Sequence, residues 1–318
     1  MNIFEKFLNK IDWIYNVNMS KQIRRETKVN ILNFYESVDL LIAKKASLAR
    51  FGDGEFTLML NGEFLYKKNT SLRFQKANPS LKQRMKEILK DKDISKYNLE
   101  LAIPGFLNDL DEAALVPETY HFWTNYLYNL QYKITGLLRK DYTYVDSLIS
   151  RFYMDEKDKD KNKIQKKVDK LKELWDGESL LIVEGEGSRL GFNNDLFDNS
   201  LGIQRILCPN NDAFDYYDEI LQAALKYGKD KMIIIALGPT ATVLAYDIAK
   251  SGLRALDLGH IDIEYQWFLM GAQQKVAVKG KVVTEAPDFM TQNNNEEKNT
   301  NLADSEVLYR IKAINNKL

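Results

Sequence analysis

The chain has 318 residues, 45% of them hydrophobic, enough for one large α/β domain or two small ones. Its 45 basic and 45 acidic residues cancel, which argues against a general nucleic-acid binder. One cysteine, Cys208, excludes an intrachain disulfide and a multi-cysteine zinc site, and suits a reducing cytoplasm.

Residues 1–45 read as helical. Glu5, Lys6, Lys10 and Asp12 interrupt any signal-peptide core, and no apolar run approaches the roughly 20 residues of a membrane span. Ile3, Phe7, Ile11 and Ile14 share a helical face, which is expected to dock on the domain; peripheral membrane contact is the rival use. Ile31, Phe34, Tyr35, Val38 and Leu41 continue the helical spacing. A short strand follows over 46–51. Helix 81–89 begins near Pro79, strand 98–103 stops at Pro104-Gly105, and helix 119–139 is rich in aromatics. Within it, His121 reads as a core histidine. Strand 142–145 leads to Ser150-Arg151-Phe152-Tyr153.

The charge run over 155–170 reads as a solvated loop entering an exposed helix face. Beyond it the pattern is regular. Strands at 179–183, 203–207, 231–237 and 253–258 alternate with helices at 213–227, 240–250 and 263–270. That alternation predicts a Rossmann-like, doubly wound and mostly parallel sheet. Residues 291–301 read as a flexible linker. Val307, Leu308, Ile311 and Ile314 suggest a short terminal helix.

In such sheets ligands bind at the carboxyl ends of the strands, so four strand ends carry the functional reading. Asp53 and Glu55, set between Gly52 and Gly54, place two carboxylates where a strand becomes a loop. They are suited to one hard cation, Mg²⁺ or Mn²⁺; an ordinary Asp-Gly turn is the competing explanation. The run from Glu184 to Gly191 is a Gly-rich loop in which Gly187, Ser188 and Arg189 could approach phosphate. A dinucleotide loop is the rival there, against the Gly-x-Gly-x-x-x-Gly spacing. Gly238-Pro239-Thr240 turns a buried strand directly into a helix, whose free N–H groups attract anions. Finally, His260 stands beside Asp257, Asp262 and Glu264, with Tyr265 and Trp267 adjacent. Carboxylates beside aromatics suit a sugar, although Asp262 as a helix cap and Trp267 in the core are equally simple roles.

Together these segments resemble one family. Arg-Phe-Gly-Asp-Gly-Glu, Ser-Arg-Phe-Tyr, Glu-Gly-x-Gly-Ser-Arg-Leu-Gly-x-x-Asn-Asp-Leu-Phe, Ala-Leu-Gly-Pro-Thr-Ala-Thr-Val-Leu-Ala-Tyr-Asp and Gly-His-Ile-Asp-Ile-Glu-Tyr-x-Trp look like the bacterial GT-D-fold glycosyltransferases, over residues 46–271. The resemblance implies that Asp53 and Glu55 form the family's Asp-X-Glu metal motif and engage a metal-bound diphosphate. It also implies a UDP-sugar donor, UDP-glucose first, and a glycan or glycoprotein acceptor such as a surface adhesin. The domain division is then a helical segment at 1–45, the transferase domain at 46–290, and a tail at 291–318. Gly52, Gly54, Gly187, Ser188, Arg189, Gly238 and Thr240 are the expected donor contacts. His260, Asp262 and Glu264 are three alternatives for the base that activates the acceptor hydroxyl. A cytoplasmic location and no nucleic-acid partner are expected, and homo-oligomerisation is left open. Two rival functions remain: an NAD(P)-dependent oxidoreductase using the Gly185 to Gly191 loop, and a non-catalytic partner within a glycosylation complex.

Overall fold

A computed structural model describes residues 3–60, 72, 74–283, 285–286 and 304–313. The chain opens with helix α1 (Ile3–Glu26), strand β1 (Asn30–Ile31), helix α2 (Phe34–Lys44), strand β2 (Ser47–Arg50) and helix α3 (Asp53–Met59). Next come α4 (Pro79–Lys90), β3 (Leu99–Ile103), α5 (Pro117–Thr135), β4 (Thr143–Asp146) and α6 (Lys161–Lys172). The second half contains β5 (Ser179–Gly185), β6 (Gly202–Cys208), α7 (Tyr217–Tyr227), β7 (Met232–Ala236), α8 (Pro239–Lys250), β8 (Ala255–Asp257), α9 (Ile261–Met270) and β9 (Val307–Arg310).

Among the described residues nine strands join one sheet in the order β1-β4-β3-β2-β8-β7-β5-β6-β9, and each pair of neighbouring strands is parallel. The expected doubly wound sheet is therefore present. Its central strands are apolar on both faces: Leu180 to Val183 and Met232 to Ile235 are buried throughout, as strands covered by helices on both sides must be. The chain leaves β2 toward β3 and leaves β7 toward β8, whereas β5 leads to β6 on the opposite side. Neighbouring strands thus send their connections apart at two places, β2/β8 and β5/β7, and each opens a crevice at the carboxyl edge.

Several expectations change. The first helical stretch is two helices, split by β1 and capped at Asn33, whose side chain accepts from the Glu36 N–H at 3.0 Å. The terminal segment pairs alongside β6 as strand β9 over 307–310, where a helix was expected. The linker read over 291–301 and the end of the terminal helix, including Ile314, lie outside the described residues.

Helix α1 packs along α5, with Trp13 against the His121 ring at a centroid distance of 4.3 Å. His121 is exposed and not a core residue, its ring meeting α1 through Trp13. Ile11 and Ile14 are about half exposed, so they do not dock as expected; the side chains of Ile3 and Phe7 lie outside the described set. Among the described residues no helix is long and apolar enough to cross a membrane. The charge run is solvated only in part. Asp155 is buried, bonded to Thr119 and Arg151, and α6 buries Ile164, Val168 and Leu171.

Candidate active site

The site is built on the β2/β8 crevice. After Arg50 the chain turns at Gly52 and starts α3 at Asp53. Glu55 reaches back along this first turn, and its Oε2 accepts the Gly52 N–H at 2.7 Å. An otherwise orphaned donor at the helix start is thereby satisfied. Asp53 keeps an exposed edge, while protein crowds its other sides. That crowding raises its pKa against the pull of Arg151, and Glu285 adds to the rise. Burial pushes Glu55 up to about 7, with repulsion from Asp257 and Asp53 added and the Gly52 N–H opposing.

Across the crevice, Arg50 reaches from β2 to the end of β8. Its Nε and Nη2 lie 3.4 and 3.3 Å from Asp257 Oδ1. Its Nη1 donates to Ser150 Oγ at 2.6 Å and to the Ser147 carbonyl at 3.1 Å. Gly259 passes directly over this guanidinium at φ +47°, a backbone position that favours glycine.

A third layer comes from the segment after α9. Arg151 grips Glu285 with two nitrogens, Nη1 to Oε1 at 2.8 Å and Nη2 to Oε2 at 3.1 Å. His260 Nε2 lies 3.1 Å from Glu285 Oε1, and Lys275 Nζ lies 2.6 Å from Oε2. Burial alone would raise the Glu285 pKa, but Arg151, His260 and Lys275 hold it well below the carboxylate range. Burial, with Arg151, Arg50 and Lys275 nearby, brings His260 down to about 4 against the pull of Glu285. The ring is therefore neutral near pH 7, and its contact with Glu285 is a hydrogen bond.

The three alternatives for a base separate clearly. His260 lies in the crevice with its side chain 35% exposed. Asp262 and Glu264 lie on α9, whose residues from Ile261 to Phe268 are all buried. Asp262 pairs with Lys281 and accepts the Gly191 N–H and Asn194 Nδ2, both at 2.8 Å. Glu264 Oε2 accepts the N–H groups of Tyr153 and Met154 at 2.9 and 2.8 Å. Its Oε1 is buried without a hydrogen-bond partner among the described residues, and burial pushes the carboxyl up to about 7. Both acidic residues hold loops in place beneath the site. Trp267 is fully buried, as its core reading required.

The Gly-rich loop lies at the end of β5, in the second crevice. Its backbone is not a free phosphate cradle. The N–H groups of Glu186, Gly187, Ser188, Leu190 and Gly191 are donated to Cys208 O, Asn210 Oδ1, Gly185 O, Glu184 Oε2 and Asp262 Oδ1. The loop's polar side chains include Ser188 and Arg189, and Arg189 lies 5.7 Å from the Phe192 ring. This internal use of the backbone removes the support for a dinucleotide loop.

At the end of β7, Gly238 at φ +54° lets Phe74 pack on the turn, since a Cβ there would lie 2.5 Å from its ring. Thr240 is buried and donates to Gln75 Oε1 at 3.2 Å. Thr242 donates to the Arg50 carbonyl at 2.7 Å, tying this helix start to β2. Gly238 and Thr240 therefore shape the crevice wall. Gly54 also serves packing, with a would-be Cβ 3.2 Å from Leu72.

Among the described residues no group of three or more His, Cys, Asp or Glu side chains is arranged to cage a metal. Mg²⁺ and its relatives are commonly held by one or two carboxylates together with substrate phosphates. Asp53 and Glu55 fit that mode. They are carboxylates two residues apart, one of them solvent-accessible, and the charge of Asp53 disfavours ionisation of Glu55. Sequence reasoning assigned no role to Arg50, Arg151, Lys275 or Glu285. Arg50 and Arg151 stood within the Arg-Phe-Gly-Asp-Gly-Glu and Ser-Arg-Phe-Tyr motifs, whereas Lys275 and Glu285 lay in no motif.

Comparison with known proteins agrees with this architecture. A probable glycosyl transferase of Streptococcus gordonii is 35% identical over 260 residues, 82% of this chain and 36% of that protein. A glycosyltransferase of Streptococcus pneumoniae serotype 4 is 35% identical over 257 residues, 81% of this chain and 30% of that protein. The chain thus spans about a third of the length of these relatives. A solved domain of unknown function with a distinct glycosyltransferase fold superposes with a TM-score of 0.81 at 34% identity, covering 93% of this chain and all of that one. A new glycosyltransferase from Streptococcus sanguinis gives 0.78 at 34% identity, covering 90% of this chain and all of that one. The description "Glycosyltransferase GT-D fold" matches residues 48–286, and the chain belongs to that family.

Proposed function

We propose that the chain transfers a hexose, glucose first, from a UDP-sugar to a glycan or glycoprotein acceptor, with Mn²⁺ or Mg²⁺ held at Asp53 and Glu55. One observation carries this reading: a carboxylate pair at the carboxyl end of β2, with Asp53 solvent-accessible, faces the same crevice as His260. When bound, such a cation supplies Lewis-acid stabilisation for charge building on the departing diphosphate. Asp53 and Glu55 bind and orient that end of the donor. Ser188 and Arg189 offer side chains to the nucleotide half from the neighbouring crevice. Gly52 lets Glu55 fold back, which fixes the carboxylate before a donor arrives. Of the three alternatives for the base, His260 alone keeps a partly exposed side chain in the crevice, since Asp262 and Glu264 are committed to buried contacts. The lone buried thiol Cys208 supports a reducing, cytoplasmic setting.

The test is a screen of UDP-, GDP- and dTDP-sugars with and without Mn²⁺, read by product mass. Transfer from a UDP-hexose that EDTA abolishes supports the reading. Equal transfer in EDTA, or turnover of NAD(P)H in place of sugar transfer, overturns it.

A further inference from the structure

Three donor side chains in this crevice converge on one carboxylate of the protein itself. Arg151 supplies two nitrogens at 2.8 and 3.1 Å, Lys275 one at 2.6 Å and His260 one at 3.1 Å, all to Glu285. A planar guanidinium fork, an ammonium and an imidazole around one oxyanion form the chemistry that recognises phosphate. We propose that Arg151, Lys275 and His260 form an anion subsite for the donor's diphosphate, and that Glu285 occupies it as an internal stand-in which the donor displaces. The inference rests on the nucleotide-sugar reading above and deepens it.

Two features favour exchange over a permanent ion pair. Arg151 is anchored from behind: its Nε donates to Asp155 Oδ2 at 3.1 Å, and Asp155 is fixed in turn by Thr119 at 2.8 Å. The fork keeps its aim when Glu285 leaves. Glu285, by contrast, sits after α9 where the described residues 271–283 and 285–286 form no helix or strand. That stretch is tied to the body by separate contacts such as the Val282 N–H to the Gly187 carbonyl at 2.9 Å. Displacing Glu285 therefore breaks side-chain contacts and leaves the sheet intact. The position is also correct, because Asp53 feels the charges of Arg151, Glu285 and Lys275 together. A diphosphate seated on the fork would lie within reach of the carboxylate pair. While Glu285 is in place it takes up the charge of Arg151 and Lys275; once it leaves, an incoming anion meets an unpaired fork.

The experiment measures Kd by calorimetry in Mn²⁺ for two probes, inorganic pyrophosphate and UDP. The proteins are the wild-type chain and Glu285→Ala, Glu285→Gln, Glu285→Asp, Arg151→Ala and Lys275→Ala. Each variant is first checked by its melting curve. Lys275→Ala and Glu285→Gln are the substitutions least disruptive to folding. The three Glu285 variants should bind both probes about tenfold more tightly, and the two cation variants about tenfold more weakly. Glu285→Asp keeps the charge but shortens the arm, so a gain confined to Ala and Gln would mark distant repulsion and overturn the exchange. Unchanged or weaker binding in every folded Glu285 variant also overturns it. If wild type binds UDP well and the Glu285 variants match it, the stand-in falls while the nucleotide reading stands. If the variants gain for pyrophosphate but prefer it to UDP, the subsite stands and the nucleotide reading falls.

Discussion

A Cβ placed on Gly259 would lie 2.1 Å from Nη2 of Arg50, so the turn after β8 and the last residue of β2 are fitted to each other. Arg50 cannot simply swing aside, since Ser147, Ser150 and Asp257 all hold it. Gly259→Ala should therefore cost about 1–3 kcal/mol, from the positive φ and the displaced guanidinium. Urea unfolding measures the loss. A variant as stable and as active as wild type would show that the turn relaxes freely.

Asp53 and Glu55 should respond differently. Asp53 is solvent-accessible with a raised pKa, so Asp53→Asn should keep the melting temperature within a few degrees while removing most Mn²⁺-dependent UDP binding. Glu55→Gln retains an oxygen for the Gly52 N–H and removes a carboxylate pushed up to about 7. Its stability should stay level or rise while transfer falls. Thermal melts and calorimetry on the same samples separate the two effects, and full activity in the double variant sinks the metal assignment.

Asp262 tests a structural role against a chemical one. It pairs with Lys281, each side chain 1% exposed, and receives two further hydrogen bonds, from Gly191 of the Gly-rich loop and from Asn194 beyond it. Asp262→Ala strands a buried ammonium and should cost roughly 3–5 kcal/mol. A large fall in denaturation midpoint is expected. A variant that stays fully stable but loses only turnover would instead identify Asp262 as the base.

Glu264 gives a pH signature. Burial raises its folded pKa from an ordinary 4.5 to about 7, so the folded protein holds this proton more tightly than the unfolded chain. The stabilisation is complete below about pH 4.5 and is lost as the pH rises toward 7, to the extent of roughly 3 kcal/mol. The orphan Oε1 fits this sign, because an unpartnered oxygen costs less on a neutral carboxyl than on a carboxylate. Glu264→Gln should flatten stability between those limits, measured by denaturant midpoints across pH. An unchanged slope would assign it to other groups.

The parallel sheet was legible because its buried strands are short β-branched runs spaced by amphipathic helices, and the carboxyl-edge rule then brought Asp53, Glu55 and His260 to one edge. What failed to show lacks periodicity. Strand β1 has only Asn30 and Ile31, too few for an alternation. Strand β9 was mistaken for a helix because Val307, Leu308 and Ile311 satisfy helical spacing as readily as they fill an edge strand. Proximity in sequence misled at α9. His260, Asp262 and Glu264 are near neighbours along the chain, but the helix that begins at Ile261 carries both acids into the interior and leaves only the histidine at its mouth. Glu285 lies in an irregular stretch, where no pattern announces a partner for Arg151.

Strands β2 and β8 are neighbours, and Arg50 and Asp257 touch across them although 207 positions separate them in the chain. The crevice is consequently a seam between an early and a late part of the polypeptide. During synthesis, β2, β3 and β4 emerge long before β8, so the edge of β2 that faces β8 stays open until most of the chain has been made. Contacts of such long sequence separation form slowly, and the open edge is a hazard for association in the interval. The crevice is therefore among the last parts of the molecule to exist, and its assembly reports that both halves have folded.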